Sequence, residues 1–393
     1  MRNLTLAAAA ALSLAFGAFG AFSAEAQDEP KFSVKPTGRV LMDGAVYMPD
    51  GKGFADGVAL PDIRLGAKAS YGKWAAKIDI GFGFGKLSFK DVFMQYNFNQ
   101  YNFLRLGYFV HQFGLNAATS SSMKPAMEAP ITDTFFNATG RNLGVMYVYD
   151  KDKFFLGVSG IVGGTSMTSP SNEQGKVSIG ALNRFVYRPF HGDGLITQVG
   201  ISLWYQSAFH KRIENEDGDM VVSPGFFDYS AGFPTRVCKV SMLGADVDHA
   251  KGVFKLSPEI VVAKDRVALE GQYYYMNIGR STGYSNYRAQ GVYGLLRGLL
   301  IGDGYGYSHG DAGLATPAPG SLEMILGYNY TDANCGKAGI YGGRSNDYSV
   351  TLNYYFNKYV LARLRYSYTD VHDSAVMHNR HVNTIQARIQ FLF

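Results

Sequence analysis

The chain has 393 residues, a formal net charge of +5 and only 18% charged residues, alongside 27 Tyr, 27 Phe and 47 Gly. So modest a positive charge excludes a nucleic-acid binder, and two cysteines are too few for a disulfide framework. No apolar run beyond the N-terminal region is long enough for a membrane-spanning helix. Hydropathy averages near zero because apolar and polar residues alternate, the pattern by which a barrel wall escapes hydropathy plots.

The chain opens with Arg2, a small and apolar run over 4–22, and Ala24-Glu25-Ala26. Positive start, apolar middle and small-residue end predict a cleaved signal peptide over 1–26 rather than an anchoring helix. No Cys follows the cleavage position, which argues against a lipoprotein. The mature region, 27–393, reads as a succession of strands from about Lys35 onward. In 63–71, Ile63, Leu65, Ala67 and Ala69 oppose Arg64, Lys68 and Ser70. In 346–356, Tyr348, Val350, Leu352, Tyr354 and Phe356 oppose Ser349, Thr351 and Asn353. In 359–370, Ala362, Leu364, Tyr366 and Tyr368 oppose Arg363, Arg365, Ser367 and Thr369. The last strand is clearest: Ile385, Ala387, Ile389, Phe391 and Phe393 share one face, and Thr384, Gln386, Arg388 and Gln390 the other. Alternate side chains of a strand point to opposite faces, so one face suits lipid and the other water.

Short turns fall at Gly72-Lys73, Asn99-Gln100, Lys151-Asp152, Lys264-Asp265 and Asn357-Lys358. Longer connections fall at 49–61, 111–141, 163–175, 208–251, 332–344 and 371–379. The pattern predicts an all-β, 16-stranded antiparallel transmembrane β-barrel with short turns at one mouth and long loops at the other. Its place is the outer membrane of a Gram-negative bacterium, in contact with outer-membrane lipid. Residues 298–318 break the alternation, being long where a short turn is due. A soluble sandwich or propeller would need a partner sheet for the aromatic faces, and no blade-length repeat is present.

A charge facing lipid is costly, so parity places Arg39, Arg64, Lys68, Lys77, Arg105, Arg288, Arg363, Arg365 and Arg388 toward the lumen. Asp43, Asp79, Asp91, Glu259, Glu270 and Glu323 share it. Ladders of Arg and Lys favour anions. The loop at 208–251 carries Lys and Arg with a surplus of Asp and Glu and reads as a solvated outer loop. Cys238 and Cys335 both fall in outward loops, where export makes a bond conceivable. Gly306-Tyr307-Ser308-His309-Gly310 matches a nucleophile-elbow string but lacks the strand-to-helix setting. His372, Asp373, His378 and His381 read as a solvated loop rather than a metal site. No catalytic residue, metal or cofactor is assigned. The residues favour a passive channel for small hydrophilic solutes, weakly selective for anions. A lipid hydrolase of the outer membrane or an adhesion barrel with a blocked lumen are the rival readings.

Ordered segments along the chain carry a family resemblance. They include Gly38-Arg39-Val40-Leu41-Met42-Asp43, the stretch 87–96, Arg105-Leu106-Gly107-Tyr108-Phe109 and Phe113-Gly114-Leu115. Thr119-Ser120-Ser121, Glu128, Gly140-Arg141-Asn142-Leu143-Gly144-Val145, the stretch 342–350, 352–355 and Tyr368-Thr369-Asp370-Val371 complete the series. In order and spacing they resemble the phosphate-selective porin O and P family. The resemblance implies a homotrimeric channel, with basic residues leading small anions, phosphate among them, to a lysine-bearing constriction. The loop 111–141 would fold inward, and Lys124, Asp91, Glu128 and Arg141 become the constriction candidates. The family pattern often carries basic residues where this chain has Val110, Ala129, Asn142 and Gly327.

Overall fold

A computed structural model describes residues 30–49, 53–137, 140–163, 176–192, 194–215 and 217–393. The expected signal peptide and nearly all of the expected loop at 163–175 lie outside the described residues. The wall consists of β1 (Ser33–Pro49), β2 (Gly57–Tyr71), β3 (Trp74–Gly81), β4 (Ser88–Asn97), β5 (Asn102–Val110), β6 (Arg141–Lys151), β7 (Phe154–Gly163) and β8 (Ser178–Gly192). It continues with β9 (Leu195–Ser207), β10 (Ala250–Lys264), β11 (Val267–Arg280), β12 (Tyr287–Ile301), β13 (Leu322–Cys335), β14 (Ile340–Tyr355), β15 (Val360–Ser374) and β16 (Arg380–Leu392). Each strand pairs antiparallel with the next, and β16 pairs with β1, so the sheet is a closed 16-stranded barrel. Closure leaves no unpaired edge, which a lipid environment demands. At the seam the Gly38 and Phe393 backbones exchange hydrogen bonds of 2.8 and 3.0 Å. A Cβ on Gly38 would lie 2.2 Å from the Phe393 ring, so the terminal aromatic packs against bare backbone there.

The burial pattern is inverted relative to a water-soluble sheet. In β16, Ile385, Ile389 and Phe391 are exposed while Thr384, Gln386, Arg388 and Gln390 are buried. A band of tyrosines marks the upper limit of the apolar outer wall. The hydroxyls of Tyr273, Tyr328 and Tyr366 donate to Gln290 (3.0 Å), Asn346 (3.0 Å) and Asn383 (2.7 Å), all on the outer face toward the long-loop mouth. Rings in hydrocarbon with hydroxyls on the polar side are the usual signature of a membrane interface.

Among the described residues, three connections fold into the lumen. The first, between β5 and β6, contains α1 (Gly114–Ala118) and α2 (Ile131–Phe136). Gly114 has φ of +83°, and a Cβ there would fall 1.6 Å from the Gln272 side chain, so the entry to α1 needs glycine. Phe113, Phe135 and Phe136 are buried in one cluster with Trp204, Tyr229 and Tyr274. Polar anchors complete the fit. Lys255 donates to the Phe136 carbonyl at 2.6 Å, Tyr274 to Asp133 at 2.7 Å, Arg363 to the Lys124 carbonyl at 2.9 Å and Gln390 to the Ser122 carbonyl at 3.0 Å.

The second is the segment 302–321, which explains the break at 298–318. It forms no further wall strand but turns up into the barrel from the short-turn mouth. Arg184 donates to the carbonyls of Asp311 (2.6 Å) and Ala312 (2.8 Å), Tyr307 to Gln198 (2.6 Å) and Tyr305 to Glu323 (2.9 Å). Its Tyr305 and Leu314 pack with Leu115 of α1, so the two inward segments meet inside the barrel.

The third corrects the reading of 208–251 as a wholly solvated loop. Phe227–Gly232 and Ser241–Val247 form a hairpin whose tip descends into the lumen. There the Pro234 carbonyl accepts from Arg365 (3.1 Å) and Gln386 (2.8 Å). Cys238 and Cys335 are free thiols, Cys238 facing the Gly53 carbonyl and Cys335 the Asn286 carbonyl, so the conceivable bond between them is not formed.

Candidate functional site

The inward segments fill the side of the lumen bounded by β8–β16 and leave a passage along β1–β6. This cavity of about 710 Å³ is lined by Arg39, Arg64, Lys68, Lys77, Arg105, Lys124 and Arg141, with Asp79, Asp91, Asp133 and Asp311. It reaches from Lys68 and Phe393, near the short-turn mouth, to Gly140 and Arg141 at the long-loop end of β6. Seven bases against four acids leave a positive surplus on a wet wall.

The charges are arranged by strand register. Arg39 of β1 pairs laterally with Arg64 of β2, and Lys68 with Lys77 of β3. Like charges side by side repel, and carboxylates between them offset part of that cost. Asp62 accepts from Arg39 and from Arg64 Nε at 2.9 Å. Asp91 bridges Lys77 and Arg141 at 2.9 and 2.8 Å. Arg105 lies over the rings of Phe93, Phe103 and Phe109 at 4.2, 5.1 and 5.3 Å and donates to Gln95 at 3.0 Å. Aromatic faces hold that guanidinium without consuming its charge.

At the long-loop side, Arg236 from the descending hairpin tip reaches Glu128 at 3.0 Å and Asp62 at 3.4 Å. Burial alone would raise Glu128, but Arg236 and Arg388 outweigh it and hold the carboxyl down at about 2. Lys124 lines the cavity yet is largely buried, its ammonium donating to the Asn116 carbonyl and to Asn116 Oδ1 at 2.5 Å. Burial pushes Lys124 down to about 8. Its charge is therefore complete below that value and lost as pH rises through it. Chloride selectivity, read as a reversal potential, should decline between about pH 7 and pH 9, and the decline should vanish in Lys124→Gln.

Not every base assigned to the lumen faces the passage. Arg363, Arg365 and Arg388 point inward but are sealed beneath the loops, with Arg388 held by Asp43 and Glu128. Arg288 is a correction: it is exposed on the outer wall, its Nε 3.4 Å from Asn277 Oδ1. Arg288 and Arg297 lie nine residues apart on one strand and so take opposite faces. Arg297 takes the interior, bonded to Glu270 (3.2 Å) and Glu323 (2.7 Å). Arg288 sits at the strand end, where a charge outside costs little.

Asp62, Arg184, Arg188, Lys255 and Arg297 were not assigned to the lumen from the sequence, although parity carried the signal. Lys255 shares its face with Glu259, and Arg184 and Arg188 oppose Phe185 and Tyr187. Arg236 had no such signal, because it reaches the lumen from a loop. Of the positions where the family often carries a base, Val110 lines the main cavity and Ala129 a second one of about 360 Å³ beside Arg236. At Gly327 a Cβ would lie 2.6 Å from Ser349 Oγ and 3.1 Å from Leu295 Cδ2, so a base there would require those side chains to shift.

No curated protein matches the chain in sequence. Solved structures similar to it include OmpT of Vibrio cholerae in a trimer form, at 11% identity over 92% of this chain and 99% of that one, with a TM-score of 0.57. An anion-selective porin from Comamonas acidovorans is similar at 12% identity, over 92% and 100% of the two chains, with a TM-score of 0.56. The channel DcaP of Acinetobacter baumannii is similar at 13% identity, over 95% and 99%, with a TM-score of 0.54. At such identities they speak for the fold alone. The sequence model of the phosphate-selective porin O and P family matches residues 61–393, most of the barrel. With a closed 16-stranded wall, an inward constriction loop and a base-lined passage, the chain belongs to that family of outer-membrane porins.

Proposed function

We propose that the protein is a passive, weakly anion-selective diffusion channel for small hydrophilic solutes, inorganic phosphate among them. The observation that supports this is the surplus of seven Arg or Lys over four Asp around one continuous cavity. Such a wall raises the local concentration of anions and lowers that of cations. Carboxylates beside most of the bases keep the surplus small, which favours weak selectivity over tight capture. A homotrimer fits the family and the trimer form of the Vibrio OmpT structure. Planar-bilayer recording tests the reading. Purified protein should give steady channels whose reversal potential in a KCl gradient reports chloride preferred over potassium. Added phosphate should reduce chloride current. A conducting pore with no ion preference would reject anion selectivity, and folded protein without conductance would reject the channel itself.

A further inference from the structure

Arg288 carries its charge on the outer wall at the long-loop rim, and its surroundings explain its place. It is the second residue of β12, at the long-loop end, and its side chain is exposed outside. Across the outer face lie Asn277, 3.4 Å from its Nε, and two residues further down the strand Gln290, which accepts from Tyr273 at 3.0 Å. The tyrosine band fixes the height of the hydrocarbon boundary on this side, since Tyr328 and Tyr366 donate to Asn346 and Asn383 at the same limit. Arg288 is about 7 Å beyond Gln290 along the strand, within the layer that lipid headgroups occupy. Among the described residues it forms no ion pair. The comparable outer-wall Arg344 is bound to Asp373. The wall here is also tall: β11, β12 and β13 have 14, 15 and 14 residues, against 8, 10 and 9 in β3, β4 and β5. That height suits direct lipid contact rather than cover by another chain.

We propose that Arg288, seated by Asn277, is a binding site for the phosphate group of a phosphorylated glycolipid in the outer leaflet. A guanidinium fork matches phosphate oxygens, and at this depth the anion of a lipid headgroup is the partner within reach.

The test is native mass spectrometry of the whole protein in detergent, with bisphosphorylated lipid A as probe and its dephosphorylated form as comparison. Wild-type protein should retain the phosphorylated lipid about tenfold better than the dephosphorylated one, and Arg288→Gln should lose most of that difference. Arg344→Gln should behave as wild type. Excess inorganic phosphate should not strip the lipid, because the acyl chains hold it. Equal retention by wild type and Arg288→Gln, both shown folded by heat-resistant migration on a gel, would overturn the proposal. So would displacement by free phosphate alone, or dissociation of the oligomer in Arg288→Gln, which would assign the residue to contact between copies.

Discussion

Arg388→Met is expected to destabilise the barrel by about 3–5 kcal/mol, because it leaves Asp43 buried without its cation and Glu128 with Arg236 alone. Arg388 is fully buried, its Nε and Nη2 donate to Asp43 at 2.7 and 2.6 Å, and the same group reaches Glu128. It also donates to the Met127 carbonyl at 3.0 Å. One side chain therefore ties the closing strand to the first strand and to the constriction loop. Thermal or urea unfolding in detergent should show the loss. Single-channel records should show added noise from a loop released at Met127 and Glu128. Unchanged stability would mean that water already reaches this pair. The conservative Arg388→Lys should recover only part, since a single ammonium does not reproduce the planar fork on Asp43.

The second large effect is expected from charge reversal in the passage. Arg64→Glu with Lys68→Glu would replace two of the seven cavity bases by acids, against the four Asp already there. Acids would then outnumber bases, and the permeability ratio should cross from chloride-preferring to potassium-preferring. Low salt should enlarge the effect, because screening weakens a wall field at about 8 Å in 0.15 M salt. Asp62 keeps Arg39 and Arg236 as partners, so the double variant should still fold. The reversal potential in a KCl gradient decides it. A ratio still favouring chloride would place selectivity with Arg105, Lys124 or Arg141.

Most of the wall was legible in the sequence because lipid imposes a strict code. The residues of β16 alternate without a fault, and a slip by one would turn Arg388 and Gln390 into hydrocarbon. The code fails where its physical cause weakens. At the long-loop rim a charge outside is cheap, and Arg288 was accordingly placed on the wrong face. Facing the lumen is also not the same as lining it, as Arg363 and Arg365 show under their loops. Connections follow no parity at all. The descent of Arg236 and the upturn of 302–321 depend on carbonyls such as those of Pro234, Asp311 and Ala312, which no side-chain pattern records.

The anchors of the constriction loop carry a consequence for the order of assembly. The segment comes early in the chain, between β5 and β6, and although Arg39 also reaches its Ser121, most of its polar partners come late: Lys255, Tyr274, Asn329, Asn353, Arg363, Arg388 and Gln390. Contacts so distant in sequence form only when the intervening chain is in place. The loop is thus fully anchored only when the seam between β16 and β1 has closed. A barrel arrested before its seam closes lacks both an edge partner and these anchors, so the loop's seating and the wall's closure arrive in one step.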